Sequence, residues 1–425
     1  MVRETIYTMD TSSIVYGPGA TREVGAHMQR LGARRVMLVT DPVMARLEPV
    51  RVALDALRAE GIAAVVFDRV RVAPPDYSVR EALAFAVDGA FDGYVAVGGG
   101  SSIDTAKAAN LYATWPADFL AYVNAPIGRA EPVPGPLKPL IAIPTTAGTG
   151  SETTGVAIFD LVELHAKTGI AHRALRPNMG ILDPHNTRSM SPMVAACSGF
   201  DVLSHAVESL TALPYSERPA PERPHLRPAY QGANPVSDIW AAQAIEIMSR
   251  AIVQAVEHPE QDEARGEMLL AAAYAGIGFG NAGVHLPHGM SYPVSGMVRD
   301  YRPDGYAVDH AIIPHGMSVI LNAPSVFRWT AAANPERHLL AARLMGADAS
   351  GATPEAAGEV LAEAIIALMR RTGMPSGLAE VGFGSDDVPA LVEGTLPQHR
   401  VTKLSPRPAD ADDLRELFLG AMRYW

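Results

Sequence analysis

The chain has 425 residues, 48% of them hydrophobic and 19% charged, and a formal net charge of -11. That length exceeds what one hydrophobic core usually supports, so two domains are expected. The acidic balance argues against nucleic acid or an anionic membrane as partner, and it means that any pocket for a carboxylate must be made locally basic.

A single cysteine, Cys197, excludes an intramolecular disulfide and suits a reducing compartment. The most apolar stretch, Leu269 to Val284, is shorter than the ~20 residues a membrane span needs, and Gly276, Gly278 and Gly280 interrupt it. The first residues carry neither a signal-peptide apolar region nor an Arg- and Ser-rich transit composition. The expectation from these features is a soluble, cytoplasmic protein.

In chain order, short apolar runs alternate with helical patterns through the first ~180 residues, as βα units do. Strands are predicted at 35–40, 63–67, 94–97 and 140–143, with a helix over 49–60. Continuous apolar runs of this length suit strands buried on both faces, as in a parallel sheet covered by helices. Pro-rich segments at 73–75 and 132–136 read as loops. After Asp183-Pro184 the strand signal fades. Ser191-Pro192 places a good N-cap before a proline at the first helical position, and long Ala/Leu/Met-rich helices follow. The expected division is an α/β domain over 1–184 and an all-helical domain over 185–425. Residues 214–235 are too rich in proline for helix and read as a long ordered loop.

Two loops at strand ends carry ligand-binding chemistry. Gly98-Gly99-Gly100-Ser101-Ser102 follows the strand at 94–97 and opens a helix. Glycines there let backbone amides approach a pyrophosphate, and the helix N-terminus favours its charge. Ile103 occupies the slot where G-x-G-x-x-G requires its last glycine. Asp41, ending the first of these strands, is placed to accept hydrogen bonds from a ribose, although it precedes the glycines instead of following them. So a bound dinucleotide implies an unfamiliar topology. The second loop, Pro144-Thr145-Thr146-Ala147-Gly148-Thr149, offers small hydroxyl residues for phosphate or ribose.

The most informative pattern lies in the second half. Pro-His-Gly-Met occurs twice, at 287–290 and 314–317, downstream of Asp201 and His205. Asp201 and His205 are spaced i, i+4, one turn apart on one helix face. With His288 and His315 they supply a carboxylate and three imidazoles, a donor set that can enclose Fe(II), Zn(II) or Mn(II). Such an ion polarises an alcohol or carbonyl oxygen. His285, three residues before His288, is a candidate proton shuttle. Cys197, one turn before Asp201, reads as a small buried residue.

Taken together, the metal set, Gly98 to Ser101, Asp104 and the 144–149 loop resemble the iron-containing, group III alcohol dehydrogenases. Thr149 to Phe159, Arg227 to Gly232, Gly276 to His285 and Gly394 to Pro397 resemble the hydroxyacid–oxoacid transhydrogenase branch most closely. The resemblance implies an α/β dinucleotide-binding domain followed by a helical metal-binding domain, the dehydroquinate synthase-like, iron-type alcohol dehydrogenase fold. It implies Asp201, His205, His288 and His315 as metal ligands, with Fe2+ the family's ion and Zn2+ compatible. It places Asp41, Gly98, Gly99, Gly100, Ser101, Ser102, Thr145, Thr146, Thr149 and Lys167 in the NAD site. The implied reaction is oxidation of 4-hydroxybutyrate coupled to reduction of 2-oxoglutarate through bound NAD. The alternative is an alcohol dehydrogenase that releases NADH each turnover. Implied partners are small hydroxy and oxo acids and a second copy of the chain, as a homodimer. Substrate carboxylates call for cations, and Arg218, Arg223, Arg227, Arg299 and Lys403 are the candidates. Two positions depart from the wider family: Pro74-Pro75-Asp76 replaces Pro-Asn-Pro, and Tyr292 replaces a further histidine four residues after His288.

Overall fold

The computed structural model describes residues 2–164, 166–306, 308 and 310–425. It divides into two compact units, Asp10–Ser189 and Met1–Met9 with Met190–Trp425.

The first unit is built on eight strands: β1 (Ser13–Tyr16), β2 (Arg35–Val39), β3 (Ala63–Phe67), β4 (Gly93–Gly98), β5 (Leu140–Pro144), β6 (Val156–Leu161), β7 (Ala166–Ala171) and β8 (Met179–Leu182). Six of them form one sheet in the order β1-β8-β5-β4-β2-β3, and every pair in it is parallel. β6 and β7 form a separate antiparallel hairpin. Helices α1 (Val24–Arg30), α2 (Glu48–Ala59), α3 (Asp76–Gly89) and α4 (Gly100–Thr114) cover the sheet. Alternation along each strand splits the core in two. Val36, Leu38, Val95, Val97, Ile141 and Ile143 pack with Val24, Met28, Ala53 and Leu57. Met37, Val39, Tyr94, Ala96 and Ala142 pack with Ala82, Ala86, Ile103 and Ala106 on the other face.

The four predicted strands are all present. β1, β8 and the β6–β7 hairpin were not anticipated. β1 lies at an edge and is mostly exposed, so its four residues carry no period-2 apolar signal. β8 is only four residues long.

The second unit is largely helical: α5 (Pro192–Thr211), α6 (Pro235–Glu257), α7 (Asp262–Ala282), α8 (Leu286–Gly296), α9 (His315–Ile320), α10 (Ala323–Thr330), α11 (Pro335–Leu344), α12 (Ala357–Arg371), α13 (Val388–Thr395), α14 (His399–Thr402) and α15 (Ala411–Gly420). The Ser191 hydroxyl caps α5 by accepting from the Val194 amide at 3.2 Å. From Gly199 to Thr211 every residue of α5 is buried, so this helix is the unit's core. The Pro-rich segment is irregular, with short turns at Tyr215–Glu217 and Pro224–Leu226.

The compact units depart from the expected division at two places: residues 1–9 lie with the helical unit and residues 185–189 with the α/β unit. The reason for the first is local. Glu4 pairs with Arg227 at 3.0 Å, the Glu4 amide donates to the Arg218 carbonyl, and the Thr8 amide donates to the Gln231 side chain at 2.9 Å. The N-terminal segment is thereby tied to the Pro-rich loop.

Candidate metal centre

Helix α5 sets one wall of the site. Asp201, His205 and Glu208 follow at i, i+4 and i+7, one stripe of a helix with no other charged or imidazole side chain. The two Pro-His-Gly-Met copies set the others, because each histidine sits at a helix start, His288 in the first turn of α8 and His315 as the first residue of α9. The prolines suit those positions, having no amide hydrogen to leave unpaired. The glycines allow close approach. A Cβ on Gly316 would lie 1.9 Å from the Cys197 carbonyl oxygen, and one on Gly289 2.6 Å from Thr402 Cγ2. Thus α9 packs directly on α5, and α14 on α8.

The result is convergence. Asp201 Oδ1 lies 3.7 Å from His205 Nε2, 3.6 Å from His288 Nε2 and 3.6 Å from His315 Nε2. One ligand atom from each of these four residues lies within 4.8 Å of all the others. Donors about 2.1 Å from a tetrahedrally bound ion are separated by roughly 3.4 Å, so the cluster is close to the geometry an ion imposes.

Glu208 was missed by sequence reasoning. It is fully buried. Its Oε1 accepts from the backbone amides of His285 at 2.8 Å and His288 at 3.2 Å, and its Oε2 bonds the His288 ring at Nδ1. A carboxylate on the far nitrogen fixes the tautomer and aim of a ligating imidazole. The available signal was a lone acidic residue seven positions after Asp201 in an apolar helix.

Electrostatics follow burial and these pairings. Burial pushes the His205 imidazole down to about 3, against the pull of Asp201. Burial works to lower His288 too, but Glu208 and Asp201 outweigh it and hold that ring at about 10. Burial acts to raise Asp201, and the three surrounding imidazoles reverse it, leaving the carboxyl well below the usual range. Asp201 lies within the cluster and Glu208 stands behind His288, so two carboxylates favour positive charge there.

His285 corrects an expectation. It is fully buried, stands outside the cluster, and its Nε2 shares a 3.0 Å hydrogen bond with Thr211 Oγ1. Burial pushes its ring down to about 4. Its backbone amide donates to Glu208, and its ring is engaged with Thr211 instead of joining the four converging donors. Cys197 is buried and its thiol is pushed up to about 12 by that burial, in keeping with a packing role.

Within the α/β unit, the two predicted loops form one surface. Gly98 pairs with Pro144 at the carboxyl ends of β4 and β5, and the Thr145 amide donates to the Gly98 carbonyl at 3.0 Å. A Cβ on Gly99 would lie 3.2 Å from Thr146 Oγ1, and one on Gly100 2.5 Å from Thr149 Cγ2. Glycine is required because the second loop occupies that space. Gly98 has φ +157° and its absent Cβ would meet Ser102 Oγ at 2.4 Å. No side chain caps the start of α4. Asp41 lies two residues beyond the carboxyl end of the neighbouring strand β2, and its Oδ2 lies 3.9 Å from the same Gly98 Cβ position. The chain runs outward to β3 from β2 and to the other side from β4, so Asp41 and the glycines meet where strand order reverses, the expected crevice in such sheets. This explains how an acid that precedes the glycines lies beside them. Ser102 and Thr145 are buried behind the surface. Ser101 Oγ accepts from the Ala73 amide at 3.2 Å. Lys167 lies on the hairpin, paired with Asp160 at 2.9 Å.

A buried network holds the loops together. Asp104 on α4 accepts from Ser151 Oγ at 2.5 Å and the Ile158 amide at 3.0 Å. Lys107 donates to Ser151 Oγ at 2.6 Å and the Val156 carbonyl at 2.8 Å.

Residues 11–184 match the family described as iron-containing alcohol dehydrogenase, and residues 229–422 match its C-terminal domain. The mitochondrial hydroxyacid-oxoacid transhydrogenase of Rattus norvegicus is 54% identical over 421 residues, covering 99% of this chain and 90% of that protein. The chain belongs to the iron-containing alcohol dehydrogenase family. Among solved structures, 1,3-propanediol oxidoreductase superposes with a TM-score of 0.86 at 30% identity, covering 98% of this chain and 100% of that one. Sulfoacetaldehyde reductase from Bifidobacterium kashiwanohense, solved with NAD+, superposes at 0.80 with 25% identity, covering 98% and 99%.

As an iron-containing alcohol dehydrogenase, the protein is an oxidoreductase acting on CH–OH groups of small molecules. Its donor set fits the family's metal. Asp201 Oδ1 and His288 Nε2 are buried without a hydrogen-bond partner among the described residues, and one divalent cation would satisfy both. The cytoplasmic expectation is overturned, since the transhydrogenase relative is named as mitochondrial. One cysteine and an ordinary globular composition suit either compartment, so they do not distinguish between the two.

Proposed function

We propose that this enzyme is a hydroxyacid–oxoacid transhydrogenase, coupling oxidation of 4-hydroxybutyrate to reduction of 2-oxoglutarate. The observation that carries the reading is the 54% identity to a transhydrogenase over 99% of the chain, which includes the Pro-rich segment. In this reading Asp201, His205, His288 and His315 hold Fe2+, which supplies a Lewis acid for the reacting oxygen, while NAD carries the hydride between the two acids.

The chain's own residues do the rest. Glu208 holds His288 in one tautomer and orientation. Phe279 stacks on His205 with ring centroids 3.9 Å apart, fixing that ring and keeping water from its face. Gly98, Gly99, Gly100 and Ser101 present backbone amides to the pyrophosphate, Asp41 accepts from the ribose, and Thr146 and Thr149 complete the surface. Ser102, Thr145 and Lys167 support it: the first two are buried, and the third is engaged with Asp160. Assembly as a homodimer belongs to the same proposal and is read by light scattering.

The test is turnover of 4-hydroxybutyrate plus 2-oxoglutarate by purified, metal-loaded enzyme with and without added NAD. Formation of 2-hydroxyglutarate without added NAD is expected. Strict dependence on added NAD, with NADH accumulating, identifies instead a dehydrogenase that exchanges its cofactor.

A further inference from the structure

Arg400, on the short helix α14, is a cation held by tyrosines, with no carboxylate partner among the described residues. Its Nη2 donates to the Tyr292 hydroxyl at 2.8 Å, and its guanidinium lies over the Tyr230 ring, 5.2 Å from the centroid. Its Nη1 is shielded from solvent with no hydrogen-bond partner, and no carboxylate pairs with it among the described residues. The residue as a whole remains partly exposed. A guanidinium held against aromatic rings with an unfilled donor is costly unless a ligand completes it.

Its location is what gives that donor meaning. Tyr292 lies nearly parallel to His315 at 6.5 Å between centroids. On the other side, Tyr230 meets Phe279 edge-on at 6.4 Å, and Phe279 stacks on His205. His205, His288 and His315 then close the circuit at 4.6 Å and 5.3 Å. Arg400 therefore stands in a continuous ring of aromatic contacts with the three metal-binding histidines. The packing of α14 on α8 at Gly289, the residue after His288, holds it there. Of the five other cations raised by the sequence, three are engaged elsewhere. Arg227 pairs with Glu4, Arg218 donates to the Tyr230 carbonyl, and Arg299 pairs with Asp387.

We propose that Arg400, presented by Tyr292 and Tyr230, is the receptor for the carboxylate of the hydroxy- and oxo-acid substrates. The inference rests on the transhydrogenase reading. It answers the requirement set by a net charge of -11, that an anionic substrate needs a local cation. Because Tyr292 accepts from Arg400, its own hydroxyl hydrogen is available to the same carboxylate.

Two measurements on the metal-loaded enzyme test it: the dissociation constant of glutarate by calorimetry, and the ratio of kcat/KM for 4-hydroxybutyrate to that for 1-butanol. Arg400→Met is expected to weaken glutarate and lower the ratio, each by roughly 30- to 100-fold. Arg400→Lys should recover part of both, and Tyr292→Phe should move both the same way by about 5-fold. Metal content and melting temperature are followed in every variant, and if Arg400→Met does not fold, Tyr292→Phe and Arg400→Lys decide. Equal loss on acid and alcohol, or unchanged glutarate binding, overturns the proposal, as does wild-type enzyme that binds no glutarate. If glutarate binding depends on Arg400 but no acid is turned over, the receptor stands and the transhydrogenase reading falls.

Discussion

The proposed metal centre and the proposed dinucleotide surface would hold a charged ligand in opposite ways. At the metal centre, charge is concentrated in side chains. Asp201 and Glu208 project from one buried helix, and three imidazoles are locked by stacking and by close helix contacts. At the glycine surface, side chains are removed: backbone amides at the start of α4 and small hydroxyls fill the same space, and the buried charges of Asp104 and Lys107 lie behind it as bracing. The lesson is that a small dense cation needs fixed charges converging on a point, whereas a long flexible phosphate needs room for backbone to approach.

That contrast can be broken most severely at a ligand. His288→Ala is expected to abolish stoichiometric metal, read by plasma mass spectrometry, and to reduce turnover by about 10³-fold or more, since the ion contributes several kcal/mol. Full metal content and near-normal turnover would show that the cluster is not the metal site. Removing the supporting carboxylate is milder. Glu208→Gln should weaken metal binding by roughly 10- to 100-fold, measured by competition with a chelating dye.

On the other side, Gly100→Ala sharpens the comparison, because its methyl group would stand 2.5 Å from Thr149 Cγ2. NAD binding by calorimetry should weaken by about 10-fold or more, with a melting loss matching the roughly 1–3 kcal/mol of overpacking. An equal loss of bound metal would mean that the two regions are not independent.

Glu152, a buried carboxylate that interacts with Lys107, carries a pH signature of its own. Burial raises Glu152 to about 7 from 4.5. The folded state therefore holds this proton more tightly than the unfolded chain. Its stabilising contribution is complete below about 4.5 and is lost as pH rises through about 7. Glu152→Gln should thus raise the melting temperature by several degrees at pH 8 and by little at pH 4.5. A pH-independent difference would place the effect in packing.

The smallest effect expected is at Arg227. Its partner is Glu4, so Arg227→Gln should lower the melting temperature by a few degrees without changing the acid-to-alcohol selectivity ratio. A selective loss on acids would return Arg227 to the substrate pocket and weaken the case for Arg400.

Some of this was written plainly in the sequence. The four central strands, the N-cap at Ser191 and the i, i+4 pair of Asp201 and His205 follow from local periodicity and side-chain chemistry. The same local rules marked the glycine loop and the second polar loop as candidate ligand surfaces, and the structure brings the two together. Edge strand β1 escaped because exposed residues leave no apolar period. Glu208 escaped because its partners, His285 and His288, lie 77 and 80 residues away.

The amino-acid order by itself determined which donors exist and which helices and strands carry them, since those depend on neighbours within a few residues. Tertiary structure alone decided that Asp41 sits beside Gly98, that Arg227 is consumed by Glu4 and that Arg400 is left with an unfilled donor. Pairing of charges and crossing of strands depend on distance in space, and separation along the chain does not encode that distance.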